Sequence, residues 1–197
     1  MAKSKTGSNF ARMLSVLLGV LGAGWLFANG WRGVFDYVAG YSFKTNFFSY
    51  FFGPALFPVV TLAAALLFFI VSLRDLEPMV GGFSIFTAIL AAFAAVAYAV
   101  FFINSIKSLE TAFSPEYIMH FGKFLLLVAY FLFAMYCRNR GNIRSVAWGF
   151  AIAALVVILA ATVYGFVKET IYAREFVDNI FTILAHAAMF FCGLKQY

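Results

Sequence analysis

Asp178, Asn179, Thr182 and His186 stand at spacings of three, four and seven, which puts them on one face of a helix, and Met189 and Gly193 continue the stripe. His186 lies about ten residues into an apolar run, close to the middle of a membrane span. A histidine at that depth can carry a proton or ligate a metal, and it needs a hydrogen-bond partner. Tyr130 and Thr162, each within another apolar run, are the candidate partners. The stripe therefore reads either as a solute or proton pathway or as a polar seam between helices.

Glu116, His120 and Lys123 form a second group at i, i+4 and i+7. They share a helix face, where Lys123 is expected to snorkel outward or to pair with Asp178 and tie two helices together; the alternative is a mouth for an anionic or protonatable solute. His120 lies roughly two helical turns nearer the outer face than His186, so bis-histidine ligation of a haem is not expected. The two cysteines, Cys137 and Cys192, form no CxxC, and no HExxH, G-x-S-x-G, P-loop or dinucleotide fingerprint occurs. The sequence thus implies no metal, no cofactor and no catalytic residues, and no disulfide at a reducing face.

These groups sit in an extremely apolar chain. Of 197 residues, 64% are hydrophobic and 11% charged, with a mean hydropathy of +0.94; soluble domains carry roughly a quarter charged residues. An all-α, polytopic membrane bundle follows, forming one integral domain with no separate aqueous part. Apolar runs predict six transmembrane helices, at approximately 13–30, 53–73, 79–103, 118–136, 146–167 and 176–194. They lack the alternation of barrel strands, and lipid demands internally satisfied backbone groups. Pro54, Pro58, Pro78 and Pro115 all fall at predicted starts, where a proline loses no helical hydrogen bond. The first run, after Lys3, Lys5 and Arg12, is expected to be an uncleaved anchor, because no clean small-x-small site follows it.

Charge sets the expected orientation. With the N-terminus inside, the inner connections and termini hold eight cations against two acids, and the outer ones hold six of each. The positive-inside tendency then predicts both termini in the cytoplasm, with CRNRGNIR at 137–144 as the strongest signal. The cations are spread over short turns, so nucleic acid is not an expected partner. A bacterial cytoplasmic membrane is the expected location.

Residues 31–52 make a long outer connection in which ten residues are Phe, Tyr or Trp. It is expected to lie in the headgroup region as an aromatic belt. Small residues predict which helices approach closely: Gly19 and Ala23 in the first, Ala91, Ala95 and Ala99 in the third, Gly149 and Ala153 in the fifth. These three helices are expected to be central or adjacent, and the second and fourth, rich in Leu and Phe, to show more surface to lipid. The three helical pairs share a layout, and AMYCRNR and MFFCGLK end the fourth and sixth runs alike, which suggests tandem hairpins of about 55 residues.

Functionally, the leading expectation is a non-catalytic subunit or scaffold that packs against membrane partners or itself. The alternative is a small solute or proton transporter using the last helix. A membrane enzyme acting on a lipid or quinone ranks third.

Overall fold

The structure is a computed structural model. It describes residues 5–39, 56–72, 77–105, 113–139 and 143–195, with side chains described for 13–36, 56–72, 78–103, 113–138 and 143–194. All its elements are helices: α1 (Lys5–Ala39), α2 (Leu56–Ser72), α3 (Glu77–Ser105), α4 (Pro115–Asn139), α5 (Ile143–Val167) and α6 (Ala173–Lys195). Five are long and apolar enough to cross a membrane; α2, at 17 residues, is the shorter apolar one.

Helix ends follow local chemistry. Pro115 opens α4, and the Ser114 hydroxyl accepts from the Tyr117 N–H at 3.3 Å as its cap. At the start of α6, the Glu175 carboxylate accepts from the Tyr172 N–H at 3.4 Å. The α5–α6 turn is closed by Thr170 N–H donating to Gly165 O at 2.9 Å, with Glu169 in the left-handed region at φ 57°.

One boundary differs from expectation. The first helix continues past Gly30 to Ala39, so the first part of the aromatic connection is helical. Residues 31–39 contain no proline, Arg32 and Asp36 pair at i, i+4 across 3.9 Å, and Gly33 packs on Pro58. Residues 40–55, with most of the aromatic belt, lie outside the described residues.

The six helices close into a ring in chain order, each packed on its neighbours, and α1 packs on α6. The even-numbered helices also touch one another across the middle. Consequently α2, α4 and α6 form an inner triangle, and α1, α3 and α5 each fill a groove between two inner helices. Contacts fix the directions. Gly19 meets Phe68 while Gly30 meets Leu62 and Pro58, so α1 and α2 are antiparallel. The Cys192 thiol donates to Ser15 O at 2.5 Å, placing the start of α1 beside the end of α6. The last turns of α1, α3 and α5 and the first turns of α2, α4 and α6 share the other end, called the hairpin face below.

This arrangement corrects the expected packing. Nine of the 17 residues of α2 are buried, against seven of the 25 in α5, so α2 and α4 are central rather than lipid-facing. Bulk wins the centre because the middle of a six-membered ring is wide: Phe68, Phe133 and Phe190, all fully buried, fill it. Phe133 meets Phe190 edge-on at 5.8 Å, and Gly193 leaves room for the Phe133 and Phe68 rings. Small residues instead set close approaches at the ring's seams. A Cβ on Gly19 would lie 2.6 Å from Phe68 and 2.7 Å from Cys192; one on Gly122 would lie 2.5 Å from Ile158. Ala23, Ala91 and Ala95 are buried, and Ala99 is partly so. Gly149 and Ala153, by contrast, are exposed, and nothing lies within 4 Å of a Cβ built on Gly149. The buried face of α5 is instead Ala147, Ala151, Ala154, Ile158, Ala161 and Gly165.

The outward faces are almost wholly apolar: Leu14, Leu17 and Leu21 on α1, and Ile89, Phe93 and Val96 on α3, are all exposed. Continuous apolar surface on this scale belongs in lipid rather than water.

Candidate functional site

The deepest polar layer lies just above the three-ring centre. His186 of α6 is buried, its Nδ1 2.7 Å from Thr182 O and its Nε2 2.5 Å from the Tyr130 hydroxyl of α4. A carbonyl only accepts, so Nδ1 carries the proton, and the lone pair of Nε2 accepts from the Tyr130 O–H. Both nitrogens of a neutral imidazole are thereby satisfied without water. Tyr130 stacks on Phe190 at 5.6 Å, and Thr61 of α2 is buried and lines the same cavity as His186. All three inner helices thus contribute to this layer.

Thr182 is a connecting residue. Its hydroxyl donates to Asp178 O at 2.8 Å and lies 3.4 Å from the Trp25 indole N–H of α1. Asp178 contributes only its carbonyl to this network; its side chain is exposed, and Asn179 is partly buried. Of the expected stripe, therefore, Thr182 and His186 face the interior together and the Asp178 carboxylate does not. Thr162 is not a partner of His186. It is buried on α5, with no hydrogen-bond partner for its hydroxyl among the described residues.

The outer group divides similarly. His120 Nδ1 lies 2.5 Å from the hydroxyl of Tyr98, a buried residue of α3, and its Nε2 faces the Glu116 carboxylate at 3.8 Å. The carboxylate favours the proton on Nε2, leaving Nδ1 to accept from Tyr98. The two histidines therefore take separate tyrosines on neighbouring helices. Lys123 points elsewhere, with its Nζ 5.8 Å from the Phe57 ring centroid of α2. No carboxylate lies within salt-bridge distance of it among the described residues, so the expected pair with Asp178 does not form.

What Lys123 does face is a cavity of about 220 Å³ in the half of the bundle nearest the hairpin face. Asn29, Thr61, Tyr98, Lys123, Thr182 and His186 supply its polar wall; Leu26, Phe57, Pro58 and the backbone at Gly30 and Gly33 supply the rest. It draws on α1, α2, α3, α4 and α6, so its six polar groups converge from five helices. Between it and the other face lie the Tyr130–His186 pair and the fully buried aromatic triangle. Asn29, Thr61 and Tyr98 escaped sequence reasoning because it followed the polar stripes of the fourth and sixth helices, and these three lie on the first, second and third. The one available signal was polarity inside an apolar run.

The fold and this site define a class: a polytopic α-helical membrane protein with a polar cavity between its helices. Comparison with protein-family models, with curated proteins and with solved structures gives no match.

Proposed function

We propose that the protein is a carrier of a small solute or of protons, crossing the membrane six times with both termini cytoplasmic and the cavity serving as its outward access. The cavity is the observation behind this reading. A bundle needed only for packing gains by filling such a space with leucine, because close contact is what holds helices together in lipid. Here the space is instead lined by an ammonium, an amide, hydroxyls and an imidazole. The aromatic triangle acts as the inner closure, and rocking of one hairpin against the other two would open it.

Six crossings are supported by α2 lying antiparallel beside α1 from Pro58 to Phe68. Its 17 residues span about 25 Å at 1.5 Å per residue, at the short end for a hydrocarbon core of about 30 Å. Orientation rests on the cation surplus of the N-terminal side.

The test is uptake into proteoliposomes, using a panel of small anions, cations and neutral solutes and an internal pH dye. Flux above that of empty vesicles is expected for at least one of them, and His186→Ala should lower it about tenfold while insertion is retained. Undiminished flux in that variant removes His186 from the path, and no flux of any solute removes the carrier reading.

A second reading, a subunit packed against a partner or a second copy, is favoured by Gly149 and Ala153. They make a small-residue stripe on the exposed side of α5. Gly149→Ile should then break a complex seen by native mass spectrometry in mild detergent; an unchanged assembly removes this alternative.

A further inference from the structure

We infer that the cavity is a site for a small carboxylate anion, bound by Lys123 and Asn29 with its short apolar part against Leu26, Phe57 and Pro58; this rests on the cavity being a solute site. Charge balance comes first. Lys123 brings a positive charge inside a bundle, and among the described residues its ammonium meets the face of Phe57 and no carboxylate within 4 Å, the exposed Glu116 acting on it only from beyond that distance. An ammonium at membrane depth is ordinarily paired, and here the free space in front of it is where a counter-charge fits.

Donor supply comes second. The Thr61 hydroxyl donates to Phe57 O at 3.0 Å, Thr182 donates to Asp178 O, and Tyr98 is engaged with His120. The Asn29 amide has no hydrogen-bond partner among the described residues, although it lines the same cavity. Lys123 and Asn29 thus offer uncommitted N–H groups from α4 and α1, and a carboxylate has two oxygens to receive them.

Size and wall composition narrow the class. About 220 Å³ is below the roughly 300–1,000 Å³ of drug-sized sites, which suits a few heavy atoms rather than a nucleotide. One cation matches one negative charge. A doubly charged phosphate would bring a surplus negative charge against Leu26, Phe57 and Pro58, where nothing in the cavity wall answers it.

Carboxylates reach such a site from two sources, as free short-chain acids in water or as the head of a fatty acid in the bilayer, and the experiment separates them. Purified full-length protein in a non-ionic detergent is titrated with propionate, with laurate, with inorganic phosphate and with chloride, and binding is read as a rise in Tm. Propionate should raise Tm in a saturable way and phosphate and chloride should not; laurate acting alone assigns the site to a lipid carboxylate. Lys123→Met should weaken binding at least about tenfold, the factor that 1.4 kcal/mol represents, and Asn29→Leu should weaken it less. Lys123→Arg keeps the charge and should retain binding, which separates a lost ligand from a lost fold. No response to either carboxylate, or a response unchanged in Lys123→Met, overturns the assignment. Flux of cations or neutral solutes without carboxylate binding defeats this inference and leaves the carrier reading standing; carboxylate binding without flux of any solute does the reverse.

Discussion

The Tyr130 hydroxyl donates to Nε2 of His186 across 2.5 Å, joining α4 to α6 at the level where the polar layer meets the aromatic centre. Tyr130→Phe leaves that nitrogen buried and unpaired, and His186→Leu leaves the phenol without its acceptor. Measured couplings between helices in membranes average about 0.6 and reach about 1.7 kcal/mol, lower than for buried bonds in water-soluble cores. Denaturation in mixed detergent should show each single variant destabilised and the double variant less so than their sum, with a coupling in that range. Strict additivity would mean that the two side chains do not share a bond.

Gly193 and Gly149 should respond oppositely to alanine. A Cβ on Gly193 would fall 2.6 Å from Phe133 and 3.3 Å from Phe68 in a centre with no spare volume, so Gly193→Ala should cost about 1–3 kcal/mol. Gly149→Ala meets nothing within 4 Å and should be neutral or gain up to about 1 kcal/mol from helix propensity. Thermal melts followed by size exclusion compare them directly. Equal behaviour would contradict the inner and outer placement of α6 and α5.

Glu169 holds a positive φ of 57° at the end of α5, a conformation in which a Cβ is crowded by the following carbonyl. Glu169→Gly should raise stability by about 0.5–1 kcal/mol, and Glu169→Val should lower it, since a branched Cβ is worst there. The Tm order Gly above Glu above Val checks the turn.

Topology is testable with single cysteines in a background where Cys137 and Cys192, both buried, are replaced by alanine. An impermeant maleimide added to intact cells should label Ser42→Cys, Thr111→Cys and Thr170→Cys. It should label Asn142→Cys only after the membrane is opened. Reaction of Asn142→Cys in intact cells would remove the cytoplasmic assignment of that connection.

The sequence by itself determined the solvent and the elements. Runs such as LFPVVTLAAALLFFIVS can satisfy their backbone in lipid only as helices, and Pro58, Pro78 and Pro115 stand at or near the observed starts because proline lacks an N–H. His186 was legible as a polar group out of place in an apolar run, whereas Lys123 read as a snorkelling or paired cation at a helix end. What the sequence could not order was the bundle. In lipid a leucine face and an alanine face are both apolar, so hydrophobicity does not say which of them turns inward. Only the closing of the ring decided that Phe68, Phe133 and Phe190 fill its centre, that Gly19 and Gly122 mark its seams, and that Gly149 looks outward. The cavity is likewise a tertiary product: Asn29, Thr61, Tyr98 and Lys123 belong to four helices, and no spacing along one chain encodes a meeting of residues nearly a hundred positions apart.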